Sequence, residues 1–422
     1  MRLVLHNPQS NSLVGRPLID VLVRTHSFQK YNYILKYSLK KEDKIIVFVD
    51  KNGSSFPTYL SKYVPMQVEL FLWAIINKIN PRKITILKKY TELKKDDIFL
   101  SFALGNLNSE GNSTEVFLKS TCLKLLHLTH FVQRTATISK NIKKYNIDFL
   151  VCENNLAKNS KYFKHFFSSY KKSVYYLPFV FQERFNKSKE YSKRINKCVA
   201  TGTIIRIKEF TMESTQFEDF YSFFKTQTIH PMREQIFKKK KGLAPFIDSY
   251  IANFWETKRK DSELTKGTFE RWFSRFFNAF FASRRSYFKF NIVEKYNEYK
   301  MFITPEEIND LPGIGFVEGM ACGTAYIGKR DDMYKDLGMI DKVHYISYDG
   351  TIADLKKKIA YYQKHSAELE KIATNGMKFI RAKCNGEFVA KTFYSDLKKL
   401  ATTYKKNNYK KEGLRLRCSF VT

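Results

Sequence analysis

Residues Asp310 to Gly328 read DLPGIGFVEGMACGTAYIG. An acid opens the stretch, a turn with Gly313 and Gly315 follows, and Phe316 to Cys322 has a short helical pattern with Glu318 in its first turn. Gly323 then stops the helix, and Thr324 to Ile327 are β-prone. A loop feeding a helix N-terminus presents backbone N–H groups and the positive end of the helix dipole, which suits a diphosphate. The flanking carboxylates, Asp310 and Glu318, suit sugar hydroxyls, because an ionised carboxylate only accepts hydrogen bonds. Two glycines and a helix could equally be a plain strand-to-helix connection in an α/β protein.

The rest of the chain supplies strands for such a protein. Arg2 to His6 forms a short apolar run, followed by a polar loop and, near Pro17, a helical pattern. That order opens a doubly wound domain. Further strand patterns fall at Lys44–Asp50, Lys83–Leu87, Asp97–Phe102, Lys124–Leu128, Phe149–Cys152 and Val174–Leu177, separated by helical or polar stretches. Cys198 to Ile207 (CVATGTIIRI) reopens a strand after a charged segment and breaks it at Gly202. A last strand at His344–Tyr348 is followed by helical patterns at Thr351–Tyr362, Glu368–Lys383 and Glu387–Leu400.

The stretch 310–328 resembles the donor-binding signature of GT-B fold glycosyltransferases, the nucleotide-sugar families called glycosyl transferases group 1. Their pattern is E-x(7)-E with a small-residue run after the second acid. Glu318 with Gly319, Met320, Ala321, Cys322, Gly323 and Thr324 matches the second half, and Asp310 holds the first acid's place one methylene shorter. The resemblance implies two Rossmann-like α/β domains facing across a cleft. It places the backbone of Gly313, Ile314, Gly315, Phe316 and Val317 on the diphosphate or the sugar's far edge, Glu318 on the ribose and Asp310 on the transferred sugar. It also implies that Gly202, Arg206 and Lys208 hold the departing diphosphate, with Thr203 where the family has an arginine. His130, after the strand ending LLHLTH, falls where the family has a histidine near the reacting sugar, and His127 reads as a core residue. No D-x-D triplet is present, and basic residues would neutralise the leaving group without a metal or cofactor. The implied activity is a hexosyltransferase-like, metal-independent transfer to a glycan or lipid-linked acceptor in cell-surface polysaccharide, lipopolysaccharide or glycoprotein assembly, with retained anomeric configuration.

The expected organisation is an acceptor domain over 1–181, a linker over 182–196 and a donor domain over 197–385 with an insertion at 209–289. A helix at 386–404 packs back toward the N-terminal domain, and a basic tail spans 405–422. The insertion carries an aromatic stripe, Phe269, Trp272, Phe273, Phe276, Phe277, Phe280 and Phe281, on one helical face. That face reads as core or as an interfacial helix for anionic membrane.

Composition sets the outer bounds. A chain of 422 residues supports two or three domains at roughly 100–200 residues each. The 74 Lys and Arg against 41 Asp and Glu give +33, which calls for an anionic partner or surface. The competing class is a basic, non-catalytic nucleic-acid-binding protein, disfavoured because the charge is spread along the chain and no nucleic-acid module is recognisable. A sugar-nucleotide binder without turnover is the third reading. Six scattered cysteines without a C-x-x-C pair read as reduced thiols. No apolar run reaches the roughly 20 residues needed to span a bilayer. The expected location is therefore the cytoplasm, with any membrane contact peripheral on the inner face.

Overall fold

The computed structural model describes residues 1–6, 33–34, 36–38, 45–48, 80–87, 89–101, 115–128, 131–206, 214–253 and 290–420. The chain forms two compact units: Met1–Leu177 with Thr215–Lys225 and Val389–Ser419, and Pro178–Ser214 with Thr226–Phe388 and Phe420–Thr422.

The first unit is built on seven parallel strands: β1 (Arg2–His6), β2 (Ile45–Phe48), β3 (Ile84–Leu87), β4 (Asp97–Ser101), β5 (Leu123–His127), β6 (Phe149–Cys152) and β7 (Tyr175–Tyr176), in the order β3-β2-β1-β4-β5-β6-β7. Every residue of β4, β5 and β6 is buried, the near-continuous apolar character that a parallel sheet covered on both faces requires. Strand order reverses between β1 and β4, where His6 pairs in register with Ser101. The imidazole Nδ1 lies 3.2 Å from Ser101 Oγ and the ring packs on Phe99.

Complete burial drives the His6 pKa down to about 3. The unfolded chain therefore takes up a proton that the folded chain refuses, and stability falls as pH drops below about 6.5. Between pH 7 and pH 5 the expected loss from this one group is about 2 kcal/mol. Urea denaturation of the wild type and His6→Phe at the two pH values checks this: the variant should lose about 2 kcal/mol less on acidification. Equal losses in the two proteins would remove His6 as the cause.

The last helix spans Gly386–Lys406, and its residues from Val389 onward group with the first unit. Asp396, buried, accepts from Tyr175 Oη at 2.9 Å and from Ser419 N at 2.9 Å. The tail differs from the loose basic segment expected. Leu414 and Leu416 are buried, and Lys411 Nζ donates to Asp148 Oδ2 at 2.8 Å. Alternating leucines in GLRLR hold it down while the arginines between them face solvent.

The second unit has five parallel strands, β8 (Ile195–Ala200), β10 (Ile247–Ser249), β12 (Tyr299–Ile303), β13 (Ala325–Lys329) and β14 (Ile346–Tyr348), ordered β10-β8-β12-β13-β14. A short parallel pair, β9 (Thr203–Ile204) with β11 (Ala252–Asn253), stands apart. Two boundaries differ from those read in the sequence. Residues 182–196 are not a free linker, because Phe185, Tyr191 and Arg194 are buried in the second unit. The stretch 209–289 is not one insertion either. It supplies β10 to the sheet and the helix Pro231–Lys238, while Thr215–Lys225 groups with the first unit, with Tyr162 stacked on Phe224 at 5.1 Å. Its strand is only three residues long, too short for a periodic signal. The aromatic stripe at 269–281 lies outside the described residues. Among those described, no helix is long and apolar enough to cross a membrane.

Candidate active site

In the second sheet, strand order reverses between β8 and β12, so their carboxyl ends diverge toward different neighbours. Open parallel sheets bind ligands at such a point. Thr201 N donates to Ile303 O at 3.1 Å, bringing the exits Thr201-Gly202 and Thr304-Pro305 side by side. Thr201 Oγ1 and Tyr296 Oη lie 3.2 Å apart beneath them.

Across these exits lies the buried side chain of Arg233, carried by the helix Pro231–Lys238. Its Nε donates to Pro305 O and its Nη1 to Thr203 O, each at 3.0 Å. Two glycines make room for it. A Cβ on Gly202, whose φ is +129°, would stand 3.0 Å from Arg233 Nε, and one on Gly313 would stand 3.0 Å from Nη2 and from Thr304 Oγ1. The guanidinium is thus threaded between the two backbone segments that the sequence marks for an anion.

The helix Gly315–Ala321 follows, and Glu318 is its only residue that is not buried. Gly319 presses on the Phe302 ring, and Phe316 packs against Tyr326 and Tyr334. Phe316 N and Val317 N donate back to Gly313 O and Ile314 O, while the Ile314 side chain is exposed. Asp310 sits half-buried with φ +65° in a turn closed by Glu307 N donating to Leu311 O at 2.9 Å. Glu306 anchors that turn from below. Its Oε1 accepts from Tyr334 Oη at 2.6 Å, Lys329 N at 2.9 Å and Tyr326 Oη at 3.1 Å, and burial pushes its carboxyl up despite these donors.

The site residues expected from sequence divide in three. Asp310, Gly313, Ile314, Gly315, Phe316, Val317 and Glu318 form one continuous turn and helix at the β12 exit, and Gly202 stands beside Arg233 at the β8 exit. Arg206 is engaged elsewhere, with Nη2 on Glu234 Oε1 at 3.1 Å, and Glu234 also takes Lys238 at 2.9 Å. Lys208 and His130 lie outside the described residues. In the first unit His127, at the carboxyl end of β5, is buried with Nε2 3.0 Å from Glu153 Oε1. Sequence reasoning missed Arg233. Its signal was a charge at i+4 in the apolar stripe Ile229, Met232, Ile236, Phe237, a position facing the interior.

The two parallel α/β units, the second with a Gly-rich turn at its strand-order reversal, have the GT-B fold. A glycosyltransferase structure from Rickettsia africae ESF-5 is similar over 96% of this chain and 99% of its own, at 11% identity and TM-score 0.50. Sucrose-phosphate synthase from Thermosynechococcus elongatus matches over 96% and 100% at 11% identity and TM-score 0.49. Anabaena HepE in complex with UDP and glucose matches over 95% and 100% at 9% identity and TM-score 0.49. No protein-family model and no curated protein sequence matches the chain.

Proposed function

We propose that the protein transfers a sugar, a hexose by the resemblance of its donor motif, from a nucleotide-diphosphate donor to a glycan or lipid-linked acceptor. The observation that carries this reading is Arg233 held against both Gly202 and Gly313 where the strand order reverses. Departure of the nucleoside diphosphate builds negative charge, and a fixed guanidinium stabilises it without reorganising when the bond breaks. Lys208 is a second cation for the same group, so the reaction as proposed runs without a metal. Glu318 takes the ribose hydroxyls, Asp310 takes the transferred sugar, and His130 contacts the reacting sugar. Retention at the anomeric carbon follows the two-acid motif, and an NMR assignment of the product linkage tests it. The acceptor lies with the first unit, and the +33 charge favours an acceptor or surface bearing anionic groups.

The test is a thermal-shift panel of UDP, GDP, ADP and dTDP and their common hexose conjugates. A donor at 100 times its Kd adds about 2.7 kcal/mol to the folded state, enough to raise Tm by several degrees. Glu318→Ala should abolish that shift with unchanged Tm in the absence of donor. No shift with any donor, together with salt-sensitive oligonucleotide binding that survives Glu318→Ala, would replace the enzyme reading with the nucleic-acid one.

A further inference from the structure

The turn between β12 and the Gly315 helix contains a side chain that the roles above leave unused. Asn309 is 0% exposed, and among the described residues neither its Oδ1 nor its Nδ2 has a hydrogen-bond partner. Leaving a buried polar group unpaired costs about 1–3 kcal/mol, and an apolar residue of the same shape would avoid that cost. The backbone around it is hydrogen-bonded in this state. Ile308 N donates to Ile229 O at 2.8 Å, Asp310 N to Glu307 O at 3.2 Å, and Glu307 N to Leu311 O at 2.9 Å. Upstream, Pro305 O is held by Arg233 and Glu306 by two tyrosines. Only the link at Asp310 departs from relaxed backbone, with φ +65°, a left-handed conformation that aspartate tolerates better than most residues.

We propose that Asn309 is a sugar-reading residue of the donor site, brought onto a hydroxyl of the transferred sugar when the donor seats and the Glu307–Leu311 turn re-forms at Asp310. The inference rests on the donor reading above. Chemistry favours sugar over phosphate or base at this place. The residue adjoins Asp310, the acid spaced eight positions before Glu318. A carboxamide both donates and accepts, as a sugar hydroxyl does, whereas Asp310 ionised can only accept. Together they distinguish the orientation of neighbouring hydroxyls, which one carboxylate alone reads weakly. Ordering an enclosed amide onto ligand also couples sugar recognition to movement of the turn, so a nucleoside diphosphate without sugar would leave the turn as it is.

The experiment compares wild type with Asn309→Leu and Asn309→Asp by calorimetric titration of the donor the panel identifies and of its parent nucleoside diphosphate. Asn309→Leu should weaken the nucleotide sugar about tenfold, one hydrogen-bond pair's worth, and leave the nucleoside diphosphate unchanged. Asn309→Asp should alter the ranking among epimeric sugars on the same nucleotide. Unchanged affinity for both ligands with a raised Tm overturns the inference while sparing the donor reading, since the amide is then only an unpaired core group. A parallel loss of both affinities with a lowered Tm overturns it as well, because Asn309 would then serve the fold. A wild type that binds no nucleotide sugar sinks the donor reading itself.

Discussion

Arg194→Met is expected to destabilise the second unit by about 4 kcal/mol, at the upper end for a single substitution. The guanidinium is buried and donates from Nη1 to Thr324 Oγ1 at 2.8 Å and Gly323 O at 3.1 Å, and from Nη2 to Cys322 O at 2.9 Å, Lys189 O at 3.1 Å and Asn297 Oδ1 at 3.2 Å. Cys322 and Gly323 end the helix Gly315–Ala321, so one cation satisfies carbonyls that a helix C-terminus leaves without partners and adds the charge its dipole favours. Burial lowers the Arg194 pKa, yet a guanidinium stays charged in proteins. Methionine fills most of the volume but leaves Lys189 O, Cys322 O and Gly323 O without this donor. Arg194→Lys should recover roughly half the loss, because an ammonium has three donors against five. Hydrogen exchange of the amides in β12 and β13 reads the effect inside the second unit. A loss below about 1 kcal/mol would mean that water replaces the guanidinium without penalty.

How much of this was legible in the sequence follows from the size of the signals. The strands β1 to β6 lie within about two residues of the apolar runs that announced them, most plainly β4 to β6, which are buried on both faces and so read as near-continuous apolar segments. The turn and helix at 310–321 were readable for a different reason. Gly313, Gly315 and Gly319 stand where any Cβ would meet Arg233, Tyr296 or Phe302, so their spacing records contacts and not merely composition. Short elements were lost. Ala252–Asn253 and Ile247–Ser249 have two or three residues each, below any periodicity. The linker expectation failed because QERFNKSKEYSKR is polar by composition, while its Phe185, Tyr191 and Arg194 are the positions that pack. Arg206 was chosen for nearness to Gly202 along the chain. Arg233 is 31 positions away and is brought there by a helix, a relation that spacing cannot express.

Arg233→Met is expected to lower kcat/KM for the donor by about 10²–10³, the range for removing one preorganised donor to developing negative charge. Arg233→Lys should recover only part of this, since an ammonium cannot hold Thr203 O and Pro305 O in the same fork while facing a diphosphate. The split between kcat and KM decides what the side chain does. A group acting on charge that grows as the bond breaks lowers kcat, whereas a group that merely grips the ground-state diphosphate raises KM with kcat unchanged. Arg233 is also structural, because Nε and Nη1 fasten two strand exits, so Tm must be read alongside. A fall in Tm with donor kinetics intact at a temperature where the variant is folded would reduce Arg233 to a brace. Arg206→Met supplies the contrast. Its partner Glu234 keeps Lys238 at 2.9 Å, so donor kinetics should change less than about threefold, below 1 kcal/mol. If Arg206→Met instead shows the large kcat loss and Arg233→Met does not, the anion site lies at Arg206 and not at the strand-order reversal.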